Sequence, residues 1–481
     1  MEFSVFKKYP QGFGSLFATQ ACFNFSFYGL KSIFVLYSIS QFSLPESEAI
    51  SLFAILMALS YGTSLLGGWI ADNCLGTKST IILGGLLQAG GVSFLMLPNK
   101  DLYFFGLALI SLGSGCFKPT LSTSVGMLFD DPRDHQKDKA YSTFYIAMNL
   151  GSFIAPLACG FVSKTYGGYY TSLLLIIATL IGGVVLFYEK TIFKQEKNLI
   201  MNKKSFVSHP LFMGMALLFL VFGVSFLFKY HESFTHLMGT IAIGSFVYLG
   251  RIFYQSNPQE RKDVLKIILY ILLFTLFCSL FEQAGSSLLL FFDKAVDRNI
   301  LGMTIPASAF LSLDPIIILT FGPLFILFSE KIFKNNVDGL VKIGVGFLFV
   351  SLSFMVLALG CAQTSSLVSP LWVGSAIFLQ TIAELLIVPI GFSNISKLAP
   401  PRFRSIMMSF WLMAIAYGHY FGGFIAQFSL KDLWVSGDSL EHYYAFFWNL
   451  AIMPSIVGLL LLVYSYIKCT RIFFKTQTER S

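Results

Sequence analysis

Runs of about twenty apolar residues recur along the whole chain, and they constrain its fold more than any other feature. The chain has 481 residues, of which 55% are hydrophobic and only 12% are charged. A helix that crosses a bilayer satisfies all of its backbone polar groups internally, so these runs predict an all-α integral membrane protein. We place fourteen spans near 12–39, 49–71, 78–97, 102–128, 141–163, 168–188, 209–229, 234–255, 264–292, 305–329, 338–360, 370–396, 404–428 and 442–467.

The placement of lysine and arginine predicts the orientation of the spans. If the N-terminus with Lys7 and Lys8 is cytoplasmic, every second connection should be basic. The basic connections follow that rule and carry Lys78, Arg133, Lys137, Lys139, Lys190, Lys194, Lys197, Lys203, Lys204, Arg261, Lys262, Lys331, Lys334, Arg402, Arg404, Lys468, Arg471 and Lys475. The opposite connections carry few, namely Lys100, Lys164, Lys229, Lys294, Arg298 and Lys431. Both termini are therefore predicted to be cytoplasmic, and the net charge of +8 is no sign of nucleic-acid binding.

The order of the spans predicts a chain built from two halves. Six spans over residues 1–189 are followed by a basic linker and two further spans over 190–262, and then by six spans and a tail over 263–481. Transporters are often built from such repeated halves. The sequence therefore predicts twelve core transmembrane helices in two six-helix bundles and an inserted two-helix hairpin, which we interpret as a spacer.

Several spans carry polar or charged residues at membrane depth. Lys31 lies in the first span, and Lys118 lies in the fourth within GSGCFKP. Glu282 in FEQAGSS, Asp314 in SLDP and Glu384 in AELLIVP put carboxyl groups into the second half. Charged groups in lipid are costly, so these side chains are expected to face one another or a wet cavity. The lone amide of Asn149 leaves two alternatives open, a ligand contact or a tie between helices.

These segments together resemble the proton-dependent oligopeptide transporter (peptide transporter) family of the major facilitator superfamily. The resemblance covers nearly the whole chain and is carried by GGWIADNCLGTK, GSGCFKPTLST, FYIAMNLGS, FEQAGSS, the IPAS–SLDP stretch and AELLIVPIG–KLAPPRF–MMSFW. It implies the superfamily fold and the import of di- and tripeptides by alternating access, with protons as the coupling ion and no other cofactor.

The resemblance also implies roles for individual residues. The residues expected to line the peptide cavity are Tyr28, Tyr61, Lys118, Asn149, Asp314, Glu384 and Trp411. Among them, Glu384 matches the acidic residue that receives the peptide's amino group, and Asp314 stands where the family usually has asparagine. Lys31 and Glu282 match a basic–acidic pair that closes the extracellular side, so Glu282 is the expected partner of Lys31.

The first helix departs from the family. Members normally carry Glu-x-x-Glu-Arg-Phe there, and the matching positions of both glutamates and the arginine hold Gln20, Phe23 and Asn24. Two alternatives remain for Lys118: it is neutral in an empty cavity and charged when an anion binds, or a carboxylate of the other half neutralises it. Two alternatives also remain for coupling: Glu282 with Lys31 still carries protons, or the protein is a differently coupled or proton-independent facilitator.

The substrate is open for the same reason. Loss of the arginine removes a bidentate clamp for a carboxylate, so a modified peptide or another small amino or carboxy metabolite is the alternative to di- and tripeptides. An enzyme is not expected, because the six histidines form no metal-ligand spacing and the seven cysteines no CxxC pair. The expected partners are the substrate and the lipid bilayer, without nucleic acid, and we expect a monomer in a bacterial inner membrane.

Overall fold

The computed structural model describes residues 9–129, 135–189, 192, 210–300, 302–332, 339–364, 366–400, 403–429 and 439–478. These residues are almost entirely helical. Their contacts group into two compact units, Met1–Ile243 with Pro306–Pro315 and Gly244–Ile305 with Ile316–Ser481. The boundaries 1–189, 190–262 and 263–481 remain a prediction.

The first unit is built from helices that begin with the first apolar run. They are α1 (Phe13–Phe42), α2 (Glu46–Gly62), α3 (Ser64–Ile70), α4 (Thr77–Leu95), α5 (Lys100–Gly126), α6 (His135–Tyr166), α7 (Gly168–Tyr188) and α8 (Pro210–Lys229). A π-helical turn, Ala71–Leu75, connects α3 to α4. Helix α9 (His231–Gln255) contains the boundary between the two groups of contacts.

The second unit contains the remaining helices of the described chain. They are α10 (Pro258–Phe281), α11 (Ser287–Lys294), α12 (Leu313–Ile332), α13 (Gly339–Ala362), α14 (Pro370–Leu398), α15 (Arg404–Ser429) and α16 (Leu440–Thr478). The start of α12, up to Pro315, groups with the first unit. Short antiparallel strands, β1 (Asn299–Ile300) and β2 (Met303–Thr304), form a hairpin after α11. Within this unit α13 packs on α14 and α16, and α10 packs on α14 and α15.

The predicted all-α membrane fold is confirmed. Every predicted span coincides with one helix or with consecutive helical segments. Among the described residues, twelve helices are long and apolar enough to cross a membrane. The cytoplasmic position of the termini remains a prediction. Many basic residues on which it depends lie outside the described residues, namely Lys7, Lys8, Arg133, Lys190, Lys194, Lys197, Lys203, Lys204, Lys334, Arg402 and Lys431.

Helix starts follow ordinary capping chemistry. The Asn99 side chain accepts hydrogen bonds from the backbone N–H groups of Asp101 and Leu102, at 2.9 and 3.1 Å, and so caps α5. Asn257 and Glu260 form a reciprocal capping box at the start of α10. These side chains satisfy backbone donors that no carbonyl of the helix can reach.

The core of the first unit depends on close contact between α4 and α5. A Cβ atom added at Gly113 would lie 2.6 Å from the carbonyl oxygen of Gly84, and one added at Gly91 would lie 2.6 Å from that of Gly106. Helices in lipid associate mainly through such close backbone packing, because lipid tails are as apolar as the helix surfaces. The glycines therefore fix how α5, which carries Lys118, lies in its unit.

The second predicted span differs from a continuous helix, since the structure divides it into α2 and α3 at Thr63. The Thr63 hydroxyl lies 2.7 Å from the carbonyl oxygen of Leu59 in its own helix and 2.9 Å from that of Ser111 on α5. A hydroxyl that bonds a helix carbonyl bends the helix locally. Thr63 lies two residues after Tyr61.

Helix α8 of the inserted pair packs against α5 within the first unit. The Phe105 and Phe222 rings lie 5.6 Å apart, and Lys229 Nζ lies 2.8 Å from Asp101 Oδ1. Both charged side chains of this ion pair are well exposed, so the pair adds little stability.

Candidate functional site

The Lys118 ammonium lies between two aromatic faces in the first unit. Its Nζ atom is 3.5 Å from the ring centroid of Phe27 on α1 and 3.8 Å from that of Tyr61 on α2. The two rings are almost perpendicular, at 89°. A cation over a ring face is attracted by the ring quadrupole, by up to about 2 kcal/mol when it is desolvated. Because Nζ is buried, both rings help to hold it at a defined position.

Tyr28 and Lys31 lie one turn apart on α1. Tyr28 is half-buried and packs edge-on against Phe27, at 5.6 Å between centroids. Lys31 Nζ lies 5.6 Å from the centroid of the Tyr28 ring, so this lysine also has an aromatic neighbour. Tyr28, Phe27 and Tyr61 therefore form an aromatic cluster. Lys118 contacts Phe27 and Tyr61, and Lys31 lies over Tyr28.

Two of the residues that replace the family motif in α1 form an uncharged chain of hydrogen bonds. Gln20 Nε2 donates to Asn24 Oδ1 at 3.2 Å, and Asn24 Nδ2 donates to the carbonyl oxygen of Met148 on α6, also at 3.2 Å. Both side chains are buried. Amides do not titrate near neutral pH, so this chain ties α1 to α6 without carrying a proton.

Phe23 occupies the position of the second family glutamate and is fully buried. Its ring lies 4.9 Å from that of Phe117 on α5. Cβ atoms added at Gly85 on α4 and Gly182 on α7 would lie 2.8 and 3.0 Å from the Phe23 ring. The ring thus fills a space bounded by three other helices.

Asn149 and Asp314 also lie in the first unit. Asn149 is buried, and its Nδ2 atom donates to the carbonyl oxygen of Tyr145 in its own helix at 3.0 Å. Asp314 follows a 3₁₀ segment, Ala307–Ser312, that packs on α6. Ser308 and Ser312 donate to the carbonyl oxygens of Pro156 and Phe153 on α6, at 3.2 and 2.6 Å. These two bonds anchor the residues that lead to Asp314.

Glu384 and Trp411 lie in the second unit. Glu384 is half-buried on α14, and its Oε2 atom is shielded from solvent. Trp411 on α15 is 1% exposed and stacks on Phe274, with ring centroids 3.8 Å apart and planes at 8°. Gly391 makes room for the indole, since an added Cβ would lie 1.8 Å from it. Trp411 is therefore packed within its own unit, and its contact with a substrate remains a prediction.

Glu282 lies at a break in the predicted ninth span. Helix α10 ends at Phe281, Glu282–Gly285 forms a 3₁₀ turn, and α11 begins at Ser287. The neighbouring Gln283 stabilises this break: its Nε2 atom donates to the carbonyl oxygens of Ser279 and Gly422, both at 2.9 Å. Ser287 donates to Gln283 Oε1 at 2.5 Å. The amide thus replaces the missing helical bonds and links the break to α15.

The GGWIADNCLGTK turn contains Lys78, which interacts with the end of α7. Its Nζ atom donates to the carbonyl oxygen of Phe187 at 2.8 Å and to that of Glu189. A cation at a helix C-terminus satisfies carbonyls that have no partner in the helix and is favoured by the helix dipole. This lysine therefore has a structural role.

Sequence reasoning missed two residues of the site. Phe27 is one of them, and its sequence signal is the aromatic pair that it forms with Tyr28 before Gly29. His419 is the other, and its Nε2 atom lies 3.5 Å from Oε1 of Glu282. The available signal was a histidine deep in an apolar span. The structure leaves the roles of the other candidates as predictions, while it places Lys118 and Tyr61 together, and Glu282 beside His419.

Comparison with known proteins agrees with this architecture. The model of the POT family matches residues 78–436. Dipeptide and tripeptide permease A of Salmonella typhi is 27% identical over 475 residues, which cover 95% of this chain and 92% of the permease. A crystal structure of a peptide transporter POT in complex with sulfate has a TM-score of 0.81 at 27% identity, with 95% of each chain covered.

A further solved structure is that of a POT family transporter in complex with 5-aminolevulinic acid. It has a TM-score of 0.79 at 26% identity and covers 96% of this chain and 97% of its own. The predicted family is thus confirmed by sequence and by structure. From the match over three quarters of its residues, this chain belongs to the POT family.

Proposed function

We propose that this protein imports di- and tripeptides across a membrane by alternating access, with protons as the coupling ion. Membership of the POT family supports transport as the activity, and the similar permease of Salmonella typhi is named for dipeptides and tripeptides. The relatives and the similar solved structures are transporters.

The observation that carries the proposal is the buried Lys118 Nζ atom between two aromatic rings of the first unit, which is suited to a carboxylate. The first unit holds the Lys118 ammonium against Phe27 and Tyr61, and the second unit carries Glu384 with a buried carboxylate oxygen. A short peptide is a zwitterion with one group suited to each. Lys118 would receive the terminal carboxylate, and Glu384 the terminal amine.

Proton coupling would depend on the second unit. The three positions that hold ionisable residues elsewhere in the family carry Gln20, Phe23 and Asn24, and none of these side chains takes up a proton. Glu282 remains, at the break between α10 and α11, together with the Lys31 that the family resemblance assigns to it. We therefore propose that protonation of the Glu282 region releases Lys31.

A second candidate is a facilitator for a modified peptide or another small amino or carboxy metabolite. The neutral chain from Gln20 through Asn24 to Met148 favours it, because the arginine that would clamp a peptide carboxylate is absent. A similar solved transporter of the family binds 5-aminolevulinic acid, which has an amine and a carboxylate but is not a peptide.

Thermal-shift binding with detergent-purified protein tests the substrate class. Dipeptides, tripeptides and small amino acids such as 5-aminolevulinic acid would be screened, since a ligand that binds only folded protein at 100 times its Kd stabilises by about 2.7 kcal/mol. We expect stabilisation by dipeptides, and its loss in Glu384→Gln and Lys118→Ala. Stabilisation by the amino acids alone would favour the second candidate, and no response to any of them would contradict both.

The cellular location and the oligomeric state are also proposals. The twelve candidate spans and the bacterial relatives support a multi-pass membrane protein, and we propose a bacterial inner membrane and a monomer as the working unit. Light scattering with detergent correction would report two or more chains if the monomer is wrong.

A further inference from the structure

His419 and Glu282 form a buried acid–base pair within the second unit. His419 lies on α15, and its Nε2 atom is 3.5 Å from Oε1 of Glu282. The two side chains are only 1% and 12% exposed. Such a separation becomes an ion pair when the imidazole is protonated, and burial keeps the pair from being screened by water.

The backbone on both sides of His419 is fixed against the segment that carries Glu282. Before the histidine, a Cβ added at Gly418 would lie 2.2 Å from Cβ of Cys278 on α10. After it, the carbonyl oxygen of Gly422 accepts the hydrogen bond from Gln283. The imidazole is thus held opposite the carboxylate by contacts on either side, so the pair is set by the packing of α15 on α10.

Other titratable groups lie on the elements packed around this pair. In the described part of the unit they include Glu260, Arg261, Lys262, Asp263, Lys266, Tyr270 and Cys278 on α10, Tyr417 and Tyr420 on α15, Glu384 and Lys397 on α14, Tyr248, Arg251 and Tyr254 on α9, and Asp293 and Lys294 at the end of α11. Asp293 pairs with Arg298 at 3.1 Å. Histidine is the side chain that ordinarily changes charge between about pH 5 and 8. His419 is the residue of that type beside Glu282, at 3.5 Å between Nε2 and Oε1.

We propose that His419 is a proton-accepting residue of the transport cycle and acts by capturing the Glu282 carboxylate. A proton from the side of higher concentration binds the His419 ring, and the imidazolium pairs with Glu282. The same proton leaves the ring on the other side, and the imidazole returns to its neutral form. This inference rests on the proposed function, because it requires proton-coupled transport.

The Glu282 carboxylate connects His419 to the Lys31–Glu282 pair that is expected to close the extracellular side. Glu282 is the residue that the family resemblance pairs with Lys31, and a carboxylate held by an imidazolium is less available to that lysine. Protonation of His419 would therefore have the same consequence as protonation of Glu282 itself.

The pH dependence of transport in proteoliposomes tests this role. Uptake of radiolabelled dialanine would be measured for the wild type and for His419→Gln, both as counterflow and under an inward gradient of one pH unit at clamped voltage. Such a gradient supports at most about tenfold accumulation per proton. We expect accumulation in the wild type and none in His419→Gln, with the pH midpoint of counterflow displaced by about one unit or more.

His236→Gln is the matched control, because His236 is an exposed histidine on α9. It should accumulate dialanine as the wild type does. The inference is overturned if His419→Gln shows the accumulation and the pH midpoint of the wild type. Absence of counterflow in the wild type contradicts the proposed function instead, so the two failures can be told apart.

A second measurement covers the case in which His419→Gln does not fold. Infrared spectra of the wild type and Glu282→Gln would be compared at the low-pH plateau of transport. If His419 takes the proton, Glu282 stays ionised there, and the variant lacks a carboxylate band. Loss of a protonated carboxyl band in the variant would show that Glu282 takes the proton directly, which overturns the inference.

Discussion

At the scale of single residues, Lys118 is defined by the aromatic rings around it. Tyr61 presents its ring face to the ammonium at 3.8 Å, and this attraction belongs to the ring and not to its hydroxyl. The structure therefore separates two roles of Tyr61, the support of Lys118 and any contact of the hydroxyl with a ligand.

Paired substitutions at Tyr61 test the ring contact. Tyr61→Phe keeps the face and should leave dipeptide affinity within about threefold, whereas Tyr61→Leu removes about 1 kcal/mol of attraction and should weaken it by about five- to tenfold. Isothermal titration with the detergent-purified variants measures both. Equal affinities of the two variants would show that the ring does not support Lys118.

The close packing of Gly391 against Trp411 predicts that a side chain added at this position lowers stability. Its Cα faces the Trp411 indole so closely that an added Cβ would lie 1.8 Å from the ring, whereas Gly374 on the same helix has no atom within 4 Å of such a Cβ. Gly391→Ala should lower stability by about 1–3 kcal/mol because the indole must move. Gly374→Ala should be neutral or stabilising by up to about 1 kcal/mol.

Thermal unfolding in detergent compares these two variants directly. We expect a lower midpoint temperature of unfolding for Gly391→Ala than for Gly374→Ala. The reverse order would mean that Trp411 is not packed against α14 as the structure has it.

At the scale of elements, the break at Glu282–Gly285 depends on one amide. Gln283 donates to Ser279 and Gly422 and accepts from Ser287, so one side chain connects both halves of the broken span to α15. Gln283 is fully buried. Its removal would leave polar groups without partners in an apolar environment.

Gln283→Leu should therefore lower stability by about 1–3 kcal/mol. Gln363→Leu, at an exposed position after α13, is the matched control and should cost less than about 0.5 kcal/mol. Chemical unfolding of both variants in detergent measures the difference. A Gln283 variant as stable as the control would contradict the role of the amide.

Hydropathy predicted the spans well because a bilayer allows few backbone arrangements. It did not predict the divisions at Thr63 and Glu282–Gly285, since these depend on hydrogen bonds to residues far along the chain, such as Ser111 and Gly422. Likewise, the sequence singled out Lys118 and Glu282 by their charge. An aromatic pair before Gly29 and a histidine deep in an apolar span mark Phe27 and His419 only weakly, because packing decides which face of α1 or α15 lies against a charged group.

At the scale of the whole molecule, the two units differ in the ionisable residues that they carry at membrane depth. The first unit replaces the family's ionisable cluster by a neutral amide chain and a packed phenyl ring, while it keeps Lys118. The second unit keeps Glu282 and Glu384, with His419 beside the former. We infer that proton handling is concentrated in the second unit and that the first unit mainly binds the carboxylate of the substrate.

Dipeptide accumulation by wild-type protein in liposomes tests this account most directly. With voltage clamped and an inward gradient of one pH unit, proton-coupled import predicts uphill accumulation, of up to about tenfold for one proton per peptide. If the internal dipeptide concentration reaches the external one and goes no further, the protein is a facilitator and the proton-coupled account is wrong.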